Sequence, residues 1–170
     1  MKNHPGGEEH TLRLLELGAV PPGSRMLDLG AGGGETVALL RLQGYKAEGI
    51  DLEPRSPLVK QGSFLQAPYP DGSFDALVSQ CAFYVSGDQR QALREAYRLL
   101  CPGGKLLLSD LFFTPPEPLL RSAGFELLCS EDMTALWRDY YLEALWRGEV
   151  PGCRIPGGKS SYWLLIGRKD

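Results

Sequence analysis

Residues 25–40 read RMLDLGAGGGETVALL, and this stretch decides the fold. Arg25 to Leu29 lacks clean polar alternation, which predicts a strand buried on both faces. Gly30-Ala31-Gly32-Gly33-Gly34 follows, almost bare of side chains, and then a mostly apolar helix over 35–43 with Gly44 as its C-cap. Such a turn lets a ligand approach the backbone, and the helix start supplies amide donors. The nicotinamide fingerprint G-x-G-x-x-G/A needs a third small residue where this chain has Glu35, and an acid there opposes a pyrophosphate. The spacing is instead D-x-G-x-G-x-G, from Asp28 through Gly34.

Outward from this point, strand-like and helical stretches alternate. A short helix is expected over 11–17. Further strands are expected over 47–51, 61–65, 75–79, 106–110, 125–129 and 162–166. Helices are expected after Ser86 or Asp88, over 116–123 and over 133–147, and a glycine- and proline-rich loop over 150–160. Pro102-Gly103-Gly104 ends the helix before the fifth strand. The fold class is therefore α/β: a doubly wound, mostly parallel, seven-stranded Rossmann-like sheet with an antiparallel C-terminal strand. The link from the third strand to the fourth holds no helix. Ligands on such sheets sit beyond the carboxyl ends of the strands. There the second strand ends in Asp51, a carboxylate able to accept hydrogen bonds from a ribose diol.

Composition bounds the rest. The chain has 170 residues, and its 21 glycines and 13 prolines would suggest disorder if 43% of residues were not hydrophobic. The excess marks turns within one domain: an N-terminal helix and candidate lid (1–20), a cofactor-binding core (21–130), and a C-terminal helix and strand (131–170). A net charge of −3 gives no nucleic-acid footprint. No membrane span and no signal peptide are read, so a cytoplasmic location is expected. The four cysteines lack metal-binding spacing, and no metal site is expected.

The sequence resembles the class I S-adenosylmethionine-dependent methyltransferases, of the small-molecule type that includes quinone-biosynthesis enzymes. The resemblance spans about residues 11 to 130. It rests on LDLGAGGGETVALL (27–40), GIDLEP (49–54), the Pro-x-Pro-Asp-Gly-Ser-Phe-Asp segment (68–75) and ALREAYRLLCPGGKLLLSD (92–110). It implies S-adenosylmethionine as cofactor. Gly30, Ala31, Gly32 and Gly34 would pass under its methionine part, with Asp28 bracing that loop or meeting the amino group. Asp51 would hold the ribose hydroxyls, and Leu52 would pack on adenine. Ser63 stands where relatives often carry Asp, so Phe64 takes more of the adenine. Gln80 would lie near the sulfonium.

The same resemblance puts Cys81, Phe83 and Tyr84 on the acceptor side, and Asp110 faces it from the fifth strand or caps the next turn. No general base is assigned. The acceptor is a small molecule, and a homodimer is left open. His4-Pro5-Gly6-Gly7 reads as a lid or a loose end, and the run Trp137, Tyr140, Tyr141, Trp146 as core and interface. Two other readings stand beside methyl transfer: a non-catalytic cofactor-binding scaffold and a nicotinamide-dependent oxidoreductase.

Overall fold

The computed structural model describes residues 4–149 and 159–170. The expected loop over 150–160 and Cys153 fall largely or wholly outside these residues. A seven-stranded sheet runs through the molecule in the order β3-β2-β1-β4-β5-β7-β6. Its strands are β1 (Arg25–Leu29), β2 (Lys46–Asp51), β3 (Val59–Gln61), β4 (Phe74–Gln80), β5 (Leu100–Phe112), β6 (Phe125–Asp132) and β7 (Ser161–Lys169). The first five are parallel, and β7 lies antiparallel between β5 and β6.

The helices are α1 (Gly7–Gly18), α2 (Glu35–Leu42), α3 (Gln89–Leu99), α4 (Glu117–Ser122) and α5 (Thr134–Trp146). The strand interiors carry apolar side chains to both faces, so both faces need a helical layer. Met26, Leu107, Leu164 and Ile166 pack with Leu14 and Leu15 of α1 and Val37 and Leu40 of α2. Leu27, Leu106, Leu108 and Leu165 pack on the opposite face with Leu93, Ala96 and Leu99 of α3 and Leu120 of α4. Asp88 begins α3 by accepting the Gln91 amide at 3.0 Å. Among the described residues, no helix is long and apolar enough to cross a membrane.

Two expectations are corrected. The third strand lies at Val59–Gln61 rather than 61–65, and Phe64–Gln66 is a 3-10 turn. Ser63 causes the change, because its hydroxyl accepts the Leu65 amide at 3.2 Å and caps that turn. The fifth strand is also longer than 106–110. It starts directly after α3, pairing Leu100 with Phe74, and its register then jumps to Lys105 opposite Ala76. Pro102-Gly103-Gly104 sits in that irregularity, where a missing N–H is tolerated.

The sheet order reverses at β1 and β4, so the ends of these adjacent strands form the expected ligand crevice. The β2–β3 link is unusual: residues 52–58 join two parallel strands without a helix. Parallel crossovers usually need about a dozen residues. This short link must therefore stay close to the ends of β1 and β2.

Candidate cofactor and acceptor site

The glycine run turns sharply after β1. Gly30 and Ala31 donate their amides to Ile50 O of β2 at 2.9 and 3.1 Å, which pins the loop to the neighbouring strand. Gly30 has φ +83°, and a Cβ there would lie 2.3 Å from the Ala82 Cβ. No side chain is compatible with both the backbone angle and that contact. Gly34 then leads into α2.

Asp51 ties the glycine loop to its own turn. One carboxylate oxygen accepts the Gly32 amide at 2.8 Å and the other accepts the Glu53 amide at 2.9 Å. Each oxygen keeps lone-pair capacity for a further donor. Arg55 N donates to Gly32 O at 3.0 Å, so the short β2–β3 link drapes over the same loop.

Asp28 lies beneath the loop, 4% exposed. Burial pushes its carboxyl up to about 7, with Asp51 and Glu35 adding like-charge repulsion. Such a group is poised to ionise when a cation arrives.

The end of β4 supplies the opposite wall. Gln80 Oε1 accepts from the hydroxyls of Thr11 at 3.2 Å and Thr36 at 3.4 Å. Cys81 follows with φ 60°, an uncommon angle for a residue with a side chain. That angle turns the chain out of the strand and onto the ligand side. The turn is held by Asp110, fully buried at the end of β5. Its carboxylate accepts the amides of Phe83 at 2.7 Å, Tyr84 at 3.1 Å and Leu111 at 2.7 Å. Burial raises the Asp110 carboxyl to about 7, opposed by these three amides.

The N-terminal segment covers this ground. His4 Nδ1 lies 3.3 Å from Gln80 Nε2, and its Nε2 lies 3.4 Å from Thr11 Oγ1. Burial lowers the His4 pKa, which favours the neutral ring. His10, in the first turn of α1, bonds Ser109 Oγ at 2.7 Å in the interior, and burial brings its pKa down to about 4.

Two cavities meet here, sharing His4, Gly30 and Gln80. The first, of about 350 Å³, has Asp51, Leu52, Ser63 and Phe64 on one side and Cys81, Trp137, Tyr140 and Tyr141 on another. The second, of about 690 Å³, lies over Asp28 and the glycine loop and is rich in charged side chains. Leu52 is 64% exposed at the first cavity, a large apolar side chain offered to whatever enters.

The structure thus brings together Asp28, Gly30, Ala31, Gly32, Asp51, Leu52, Ser63, Phe64, Gln80 and Cys81 around the two cavities. Gly34 supports the loop from beneath α2's start. Phe83 and Tyr84, expected on the acceptor side, are placed elsewhere, and Asp110 takes the turn-capping alternative. Phe83 and Asp110 are fully buried; the first stacks on Phe64 with ring centroids 5.6 Å apart, and the second holds the turn. Tyr84 packs toward Phe113 and the cluster of Leu111, Trp137 and Tyr162 rather than lining either cavity. The two corrections, at Phe83 and Tyr84, share a cause: the Cys81 turn points Ala82 to the cavity and swings 83 and 84 behind it.

The aromatic run on α5 divides. Trp137, Tyr140 and Tyr141 line the first cavity, whereas Trp146 is 90% exposed. Trp137 is also core, buried with Leu111 and Tyr162; what the reading as core and interface missed is the cavity that these three line, because helical spacing alone does not say what a helix is laid against. His4 and Pro5 line the first cavity. Arg55, Thr11 and Thr36 were missed altogether, and no motif marks them.

A glycine loop and an acid on adjacent strand ends, at the switch point of a mostly parallel sheet, suit a nucleoside-type ligand, and similarity to known proteins shows that the chain belongs to the methyltransferase family. Residues 27–108 match the family model described as a methyltransferase domain. Demethylmenaquinone methyltransferase of Thermus thermophilus is 33% identical over 122 residues, covering 62% of this chain and 54% of that one. An uncharacterised methyltransferase of Geobacillus kaustophilus is 30% identical over 150 residues, covering 76% and 67%. The chain spans about half the length of the first two demethylmenaquinone methyltransferases it matches. Among solved structures, the (4+2)-cyclase SpnF superposes with a TM-score of 0.77 at 21% identity, covering 96% of this chain and 80% of that one. Phosphoethanolamine N-methyltransferase 2 of Haemonchus contortus, solved with S-adenosyl-L-methionine, also gives 0.77 at 19% identity, covering 98% and 53%.

Proposed function

We propose that this chain binds S-adenosylmethionine across the two cavities and transfers its methyl group to a small-molecule acceptor entering from the α5 side. The observation that carries the reading is the shared boundary at Gly30, Gln80 and His4, with nucleoside-type partners on one side and amino-acid-type partners on the other. The cofactor supplies an activated methyl on a sulfonium, so the protein's work is positioning and field rather than bond activation. Asp51 accepts from the ribose diol while holding the loop through Gly32. Leu52 and Phe64 flank the adenine. Asp28 meets the ammonium. Gln80, fixed by Thr11 and Thr36, faces the reacting end. Trp137, Tyr140 and Tyr141 exclude water on the acceptor side and favour a flat, apolar molecule.

The Asp28 role carries a pH prediction. Its carboxyl is raised to about 7, and ammonium binding needs it ionised. Binding below that value must first remove a proton, so affinity improves as pH rises through 7. Calorimetric titration with S-adenosylhomocysteine at pH 6 and pH 8 is expected to differ by about tenfold, one pKa unit being tenfold in a coupled equilibrium. Asp28→Asn is expected to flatten that difference. Equal slopes in both proteins would remove Asp28 from the cofactor site.

A scaffold that binds the cofactor without transfer is the second reading. It is favoured by the same fold in SpnF, a cyclase. Incubation with S-adenosylmethionine and a panel of quinols, phenols, thiols and amines separates the two. Methyl transfer predicts S-adenosylhomocysteine release matched by an acceptor heavier by one methylene. Tight cofactor binding with no release across the panel favours the scaffold.

A further inference from the structure

We infer that Arg55 receives the α-carboxylate at the amino-acid end of the cofactor. The inference rests on the S-adenosylmethionine reading above and adds a residue that no motif marks. Its basis is the helix-free link between β2 and β3. Because residues 52–58 must span two parallel strands directly, the link lies on the glycine loop, and the Arg55 amide bonds Gly32 O at 3.0 Å. The side chain then swings over that loop. Its Nη2 sits 2.7 Å from where a Cβ on Gly32 would stand, so the missing side chain of Gly32 makes room for the guanidinium.

Charge selects what the guanidinium meets. The larger cavity is walled by the carboxylates of Glu8, Glu9, Asp28, Glu35 and Glu143, which suit an ammonium and repel a carboxylate. Its arginines are Arg55 and Arg147. Arg147 is engaged by Glu149, with Nε 3.5 Å from Oε2. Arg55 forms no ion pair among the described residues. An α-carboxylate entering this acidic cavity is therefore directed to Arg55, whose planar fork matches it with two parallel hydrogen bonds. The amino group, on the same carbon, is left on the side of Asp28 and Glu35.

The test compares S-adenosylmethionine with decarboxylated S-adenosylmethionine, which lacks only that carboxylate. Both are titrated calorimetrically into the wild type, Arg55→Gln and Arg55→Lys. The wild type is expected to prefer the carboxylate-bearing ligand by about tenfold, at the lower end for a hydrogen bond to a charged group because Arg55 is exposed. Arg55→Gln is expected to lose that preference by weakening S-adenosylmethionine alone, and Arg55→Lys to retain part of it. Added salt narrows the wild-type preference.

Retention of the full preference in Arg55→Gln overturns the inference. So does equal weakening of both ligands, which points to damage in the loop. Failure of the wild type to bind either ligand overturns the cofactor reading as well. Binding of both with an unchanged preference in the variant leaves that reading standing and removes only Arg55.

Discussion

Gly30→Ala is expected to destabilise the protein by about 2–5 kcal/mol and to abolish measurable binding of S-adenosylhomocysteine. Two costs add. A left-handed backbone costs a residue with a Cβ about 1–2 kcal/mol, and Gly30 has φ +83°. Forcing an extra carbon into a packed wall costs about 1–3 kcal/mol, and the Ala82 Cβ lies 2.3 Å away with no torsion by which to withdraw. The loop must therefore move, and the amides of Gly30 and Ala31 leave Ile50 O. Thermal melts of Gly30→Ala and of Gly30→Ala with Ala82→Gly separate the parts. The second change is expected to recover the steric cost and leave the backbone cost. A single variant that melts and binds like the wild type would mean the loop is not held as described.

Asp51→Ala carries the second large effect. Affinity for S-adenosylhomocysteine is expected to fall by about 1.5–3 kcal/mol, the range for hydrogen bonds to an ionised group. The carboxylate is a junction, so the loss has two origins. It removes the acceptor facing the first cavity, and it frees the amides of Gly32 and Glu53, which loosens both loops that shape the site. Asp51→Asn tests the junction. An amide presents at most one acceptor oxygen, so one of the two backbone donors must face an NH₂ group. Its affinity is therefore expected to lie closer to Asp51→Ala than to the wild type. Calorimetry at one ionic strength measures all three. An unchanged affinity in Asp51→Ala would move the ribose elsewhere.

Much of this architecture is legible in the chain because local and global signals agree. Met26, Leu27 and Leu29, and Leu106 to Leu108, send apolar side chains to both faces, and both faces are covered. The glycine run and Asp51 sit at the strand ends where their types predict. The third strand was misplaced because Leu65 and Phe64 look like strand residues, whereas one hydroxyl, that of Ser63, converts them to a turn. Pro102-Gly103-Gly104 reads as a stop, yet a strand irregularity absorbs it.

The acceptor side was the least legible. Its shape follows from the left-handed angle at Cys81 and from three amides converging on Asp110, and neither feature leaves a periodic mark. Arg55 was invisible for a similar reason: its place is set by how short a connection is, not by its own neighbours in sequence. Residues 4–7 read only as alternatives, lid or loose end, since Gly6 and Gly7 permit both. His4 contacts Gln80 and Thr11.

The most direct test of the central claim is a crystal structure of this protein grown with S-adenosylhomocysteine. The account predicts ribose hydroxyls within hydrogen-bonding distance of Asp51, adenine between Leu52 and Phe64, and the amino-acid end over Gly30 to Gly34. It further predicts that the sulfur points toward Gln80, at the boundary with the aromatic wall of α5. Ligand density away from the glycine loop, or a loop site left empty at saturating ligand, would contradict it.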